Sequence, residues 1–120
     1  MRILLVEQSH LPRFYIKTFL THLGHEVVDT DDAEFALQKY MQDSEFFKVV
    51  ILDLYSSAVS GAYIIDRIRD VNTNTKIIVS TGSTNDPRVE QYFSHIFAFL
   101  EKPIDLNVLK ATLEKLSSSM

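Results

Sequence analysis

Three short apolar runs punctuate the chain, at residues 3–6, 49–52 and 77–79, each rich in aliphatic side chains and each followed by a polar cluster. Unbroken runs of this kind predict strands buried on both faces, as in a parallel sheet covered by helices. Two weaker runs, at 26–30 and 96–100, bring the predicted strands to five. Between the runs the period changes. Leu11, Phe14, Phe19 and Leu23, with Tyr15 and Thr18 beside them, recur at helical steps and predict a first helix that Gly24 caps at its C-terminus. Pro12 is tolerated in its first turn, where the N–H groups have no intrahelical partner. Residues 33–41, 62–71 and 106–116 predict three more helices, the last with Asp105 as N-cap. A short helix is expected over 86–94, with Pro87 in its first turn.

The order is strand then helix, five times over, and the expected class is α/β. Parallel neighbours need crossover connections, so this order predicts a five-stranded parallel sheet with helices on both faces, as one domain over residues 1–120. In such sheets functional groups gather beyond the carboxyl ends of the strands, near the switch in strand order.

Composition narrows the function classes. Apolar residues make up 46% and charged residues 23% of the 120, an ordinary globular balance, and one five-fold pattern is expected to consume nearly all of these residues, with no room among them for an effector. Twelve Lys and Arg against sixteen Asp and Glu give a net charge of -4, which argues against direct nucleic-acid binding. The absence of cysteine excludes disulfides, thiolate zinc sites and cysteine nucleophiles. The apolar start at residues 1–6 is too short for a signal peptide, and no window predicts a membrane span, so a cytoplasmic location is expected.

The strand-end rule selects specific residues. Glu7 and Gln8 follow the first run, Asp53 ends the third, Ser80 and Thr81 end the fourth, and Glu101, Lys102 and Pro103 end the fifth. Each has an ordinary structural role available to it, as a cap, turn former or loop residue. Their convergence on one rim points to phosphoryl chemistry on a carboxylate. Asp53 is the candidate phosphoacceptor, Lys102 the cation offsetting growing negative charge, and Thr81 the hydrogen-bond donor to a phosphoryl oxygen. Mg2+ would find hard oxygen ligands there.

These segments resemble the receiver domains of two-component response regulators. Ile3-Leu4-Leu5-Val6-Glu7 resembles the family's first strand and the start of its acidic pair, and Val49-Val50-Ile51-Leu52-Asp53-Leu54 its phosphoacceptor strand. Gly61 matches the glycine opening the third helix, Ile77-Ile78-Val79-Ser80-Thr81-Gly82 the hydroxyl-bearing strand, and Phe99-Leu100-Glu101-Lys102-Pro103 the Lys-Pro ending of the fifth. The resemblance implies a flavodoxin-like (βα)5 fold and phosphorylation of Asp53 by a sensor histidine kinase or phosphotransfer protein. It further implies Mg2+ held by Glu7, Asp53 and the Tyr55 backbone carbonyl, with a weakened position at Gln8. Thr81 and Phe99 would carry the switch to a surface formed by the fourth helix, fifth strand and fifth helix, where a downstream protein or a second copy docks.

Several positions depart from the family pattern. Gln8 stands where a carboxylate binds the metal directly. One unit-charge pair at about 4 Å and an effective dielectric near 20 is worth on the order of 4 kcal/mol, so weak Mg2+ affinity is expected. Ser57 replaces a frequent proline, and Ala33 and His95 replace frequent glycines, which would be costly wherever φ is positive. Two other functions stay open beside the phosphorylatable receiver, the first of them motivated by Gln8. A pseudo-receiver would dock partners without phosphorylation, with Lys102 simply pairing with Asp53. A phosphohydrolase would carry a second Asp two residues after the nucleophile, where this chain has Tyr55. His10 reads as an exposed residue opening the first helix, and His22 and His25 as surface residues at its end.

Overall fold

A computed structural model describes residues 1–53, 61–82 and 93–118. Its five strands are β1 (Arg2–Val6), β2 (Glu26–Thr30), β3 (Val49–Asp53), β4 (Lys76–Thr81) and β5 (Ala98–Glu101). Among the described residues lie four α-helices: α1 (His10–His22), α2 (Ala33–Gln42), α3 (Gly61–Val71) and α4 (Leu106–Ser118). All strand pairs are parallel, in the order β2-β1-β3-β4-β5. The chain reverses its direction of winding between β1 and β3, and that is the crevice where ligands bind in doubly wound sheets.

The unbroken apolar runs fill two cores because successive strand residues point to opposite faces. Leu4, Val6, Val50 and Leu52 pack with Ala36 and Tyr40 of α2 and Ile64 and Ile68 of α3. Ile3, Leu5, Val49 and Ile51 pack on the other face with Ile16 and Leu20 of α1 and Leu109 and Leu113 of α4. The sequence reading of α1 differs from the structure in its facing. Leu11 and Phe14 stand 64% and 58% exposed, while the core-facing residues are Ile16 and Leu20. The helix carries apolar side chains on both sides, so periodicity finds the helix without fixing which stripe packs.

Local signals set the helix ends. Gly24 adopts φ +96°, the left-handed conformation that suits glycine after a helix, and His25 N–H bonds back to the Leu20 carbonyl at 3.1 Å. Asp32 and Asp105 cap α2 and α4, their carboxylates accepting from Glu34 N–H at 2.9 Å and Asn107 N–H at 2.8 Å. Ala33 is buried in the first turn of α2, and among the described residues no residue other than glycine has positive φ, so neither Ala33 nor His95 carries the expected strain. Most of the helix expected over 86–94 lies outside the described residues, as do Ser57 and Pro87; residues Phe93–His95 form one 3-10 turn.

Candidate functional site

The register brings the predicted residues to one rim. Val6 pairs with Leu52, which sets Glu7 beside Asp53; Asp53 pairs with Ser80, and Thr81 with Glu101. Lys102 follows directly, its N–H donating to the Thr81 carbonyl at 2.8 Å. Buried polar side chains are costly unless they are paired, so their location is informative. Five residues make up the buried polar set among the described residues, and four of them, Glu7, Asp53, Ser80 and Thr81, lie on this rim.

Three of the predicted residues meet directly. The Lys102 ammonium donates to Asp53 Oδ2 and stands 3.3 and 3.4 Å from the two carboxylate oxygens of Glu7. Glu7 is 3% and Asp53 7% exposed, while Lys102 keeps contact with water. Strand alternation explains the grouping: Glu7 and Asp53 continue the series Ile3, Leu5 and Val49, Ile51, which faces α1 and α4. Thr81 continues Ile77 and Val79 on the opposite face, where half-buried Phe99 also packs. By this alternation the carboxylates share the parity of one sheet face and Thr81 and Phe99 that of the other, while all of them stand at the same carboxyl rim.

Two buried carboxylates share one ammonium. Burial raises the Glu7 carboxyl above its usual 4.5, and the Asp53 carboxyl adds to the rise through a side-chain hydrogen bond and like charge, which Lys102 does not cancel. Burial alone would lower the Lys102 ammonium, yet its bonds and opposite charges to Asp53 and Glu7 outweigh that and hold it above 10.5. Two carboxylates face one ammonium, so the cluster is short of positive charge, and carboxylate oxygens are hard donors.

That donor chemistry fits a Mg2+ ion. No group of three or more His, Cys, Asp or Glu side chains converges among the described residues. Gln8 itself is exposed on the turn between β1 and α1. Tyr55 lies outside the described residues.

A cavity of about 460 Å³ opens beside the cluster, lined by Glu7 and Lys102 together with Tyr15, Ile16, Ile104 and Leu106. It is large enough for a small side chain or ligand to approach. Leu11, Phe14 and Tyr15 give the neighbouring solvent face of α1 an apolar character unusual for an exposed helix face.

Sequence reasoning missed Arg13 and Asp29. Arg13 donates from Nη1 to the Glu7 carbonyl at 2.9 Å, and its Nε lies 3.3 Å from Asp29 Oδ2 on β2. The available signal was the aspartate itself, a charged residue inside a predicted strand.

The chain is similar to known proteins in sequence and in fold. The family model of the response regulator receiver domain matches residues 3–114. The transcriptional regulatory protein CrdR of Helicobacter pylori is 27% identical over 116 residues, covering 95% of this chain and 54% of the relative. The transcriptional regulatory protein PhoP of Escherichia coli strain K12 is 27% identical over 117 residues, covering 97% of this chain and 52% of the relative. The chain thus spans about half the length of these two curated relatives. A two-component response regulator from Clostridium difficile superposes with a TM-score of 0.88 at 22% identity, over 98% of this chain and 96% of that one, a likeness of fold. With the 2-1-3-4-5 sheet, the rim of acidic, hydroxyl and lysine side chains and a family match across nearly its whole length, the chain belongs to the response regulator receiver domain family, a signalling family of two-component systems.

Proposed function

We propose that residues 1–120 act as one receiver domain that takes a phosphoryl group onto Asp53 from the phosphohistidine of a sensor histidine kinase or phosphotransfer protein. The observation that carries this reading is the Lys102 ammonium bridging two buried carboxylates at the carboxyl rim. An Asp53 carboxylate oxygen attacks phosphorus, the donor's P–N bond breaks, and the imidazole nitrogen keeps the electron pair. Lys102 exchanges its bond to Asp53 for the phosphoryl oxygens, and the Thr81 hydroxyl donates to another. Glu7, Asp53, the Gln8 side-chain carbonyl and the Tyr55 backbone carbonyl are the groups that would hold Mg2+, which when bound shields the charge on the phosphoryl oxygens. The neutral Gln8 makes that affinity weak.

The switch then runs through Thr81 and Phe99, which share a sheet face. Its output surface comprises β5, the C-terminal helix α4 and the expected helix over 86–94, the last outside the described residues. A downstream protein or a second copy docks there. The donor approaches through the cavity beside Glu7 and Lys102, with Leu11 and Tyr15 of α1 as its footing. Among the described residues no helix is long and apolar enough to cross a membrane, and a cytoplasmic site of action follows from this reading. Turnover is limited to gain and loss of the phosphoryl group on Asp53.

Amide NMR with Mg2+ and beryllofluoride or a small phosphodonor tests the reading. Shifts around Asp53 and Thr81, abolished by Asp53→Asn, are expected. No response at millimolar Mg2+ would overturn it.

One observation favours a second reading. With Gln8 neutral and Lys102 already paired to Asp53, the domain can serve as a docking module independent of phosphorylation. Partner binding that survives Asp53→Ala supports this alternative, and binding that disappears on removal of phosphate rejects it.

A further inference from the structure

We infer that Arg13 and Asp29 form a positioning pair that holds the turn between β1 and α1, and with it Glu7 and Gln8, in place against Asp53. The inference rests on the phosphoacceptor reading given above. Arg13 Nη1 donates to the Glu7 carbonyl at 2.9 Å and reaches the Gln8 carbonyl at 3.5 Å. The other side of the guanidinium is anchored: its Nε lies 3.3 Å from Asp29 Oδ2, and Lys17 Nζ lies 2.8 Å from Asp29 Oδ1. Asp29 is fixed in turn, since it pairs with Leu5 in the parallel β1–β2 ladder. The chain of contacts runs from the edge strand, through one guanidinium, to two successive peptide carbonyls at the acidic edge of the site.

Lys102 holds the Glu7 carboxylate, but the backbone of the turn has few other partners among the described residues. Ser9 stands at the N-cap of α1 with extended backbone but makes no side-chain capping bond. The Glu7 N–H donates to the Thr30 carbonyl at 3.1 Å, which secures one end only. Gln8 is exposed, and its neutral amide is drawn to a cation more weakly than a carboxylate is. A planar guanidinium can span a carboxylate and two carbonyls at once, and charged donors make the stronger hydrogen bonds. An ammonium at this position could not keep that fork. Fixing the two carbonyls fixes the peptide planes on either side of Gln8, and hence where the Glu7 and Gln8 side chains leave the backbone. Small misplacements of such groups are expensive in catalysis. Arg13 and Asp29 touch neither the phosphoryl group nor the metal in this scheme; they act through Glu7 and Gln8.

The test compares wild type with Arg13→Gln, Arg13→Lys and Asp29→Asn. One readout needs neither metal nor phosphate: backbone carbonyl carbon shifts at Glu7 and Gln8, measured beside thermal stability. The other is the Mg2+ dependence of Asp53 phosphorylation by acetyl phosphate. For Arg13→Gln the expected result is moved carbonyl shifts and a half-saturating Mg2+ concentration raised about tenfold, equivalent to roughly 1.4 kcal/mol. The rate at saturating Mg2+ should stay within about twofold of wild type, which separates positioning from chemistry. Arg13→Lys should rescue only part of the loss, and Asp29→Asn should fall between Arg13→Gln and wild type. Unchanged carbonyl shifts with an unchanged Mg2+ dependence would overturn the inference and leave the phosphoacceptor reading intact. If wild type forms no acyl phosphate, it is that reading which fails, and the carbonyl shifts alone then decide the positioning role. Should Arg13→Gln not fold, Arg13→Lys and Asp29→Asn carry the same comparison.

Discussion

Replacing Glu7 by glutamine should stabilise the fold at neutral pH. Glu7 is almost wholly buried, and its carboxyl is raised above 4.5 first by burial and then by Asp53, against the pull of Lys102. A group whose folded-state value is raised contributes stability that is complete below the unfolded value and is lost as pH rises through the folded one. At pH 7.5 the folded state therefore carries the cost of an ionised carboxylate that it holds less comfortably than water does. At an effective dielectric of about 20, attraction to Lys102 across 3.3 Å is on the order of 5 kcal/mol. The hydrogen bond and like charge of Asp53 oppose that attraction, and desolvation, the largest cause, sets the sign. Glutamine keeps the shape and a carbonyl acceptor for Lys102 while removing the charge. The expected gain at pH 7.5 is about 1 to 2 kcal/mol, the usual scale for one buried, imperfectly satisfied polar group. For a chain of this size that raises Tm by roughly 3 to 8 °C. Thermal unfolding of both proteins at half-unit steps from pH 4 to 8 reads it out. The difference should be small at pH 4 and grow as pH rises. A Glu7→Gln protein less stable than wild type across the range, or a gap independent of pH, would refute the reasoning.

Three other outcomes are expected. Gln8→Asp should tighten Mg2+ binding by about tenfold or more, measured by titration of amide shifts, because a divalent ion gains a full charge partner. Tyr40→Phe should cost about 1 kcal/mol in denaturant unfolding, since the buried Tyr40 hydroxyl and Thr75 Oγ1 lie 2.5 Å apart and Thr75 keeps only a longer 3.4 Å bond to the Phe47 carbonyl. Leu11→Ala with Tyr15→Ala should slow transfer from a protein phosphodonor while leaving the rate with acetyl phosphate unchanged; equal losses with both donors would reject α1 as the donor's footing.

Much of the fold was legible because its signals were redundant. Residues 49–52 are too short for a helix and too uniformly apolar for a half-exposed strand, so burial on both faces was the remaining solution, and the structure buries all four. The facing of α1 was not legible. Leu11 and Phe14 satisfy the helical period as well as Ile16 and Leu20 do, and only packing against β1 and β3 selects between the two stripes. At the site, the strand-end rule found Glu7, Asp53, Thr81 and Lys102 without needing a contact. It could not divide them between the two sheet faces, because that division depends on register. Arg13 stayed hidden for a different reason: its partner Asp29 lies across a helix–strand packing, and no local spacing encodes the pair.

The net charge of -4 says little about this rim, where the local count matters more. Glu7 and Asp53 against Lys102 leave one uncompensated negative charge when both carboxylates are ionised, and a carboxylate at position 8 would leave two. An incoming phosphoryl group brings further negative charge, so every added carboxylate repels it unless a cation is bound. On the proposed reading Gln8 would therefore act in opposite directions, weakening the hold on Mg2+ and lowering the electrostatic barrier to phosphorylation when Mg2+ is scarce. Wild type and Gln8→Asp should accordingly exchange order along a Mg2+ titration of acetyl phosphate labelling: wild type faster at the lowest concentrations, Gln8→Asp faster once its tighter site fills. Curves that keep one order throughout would mean that position 8 acts through metal affinity or through repulsion alone, and the charge balance drawn from Glu7, Asp53 and Lys102 would then be wrong.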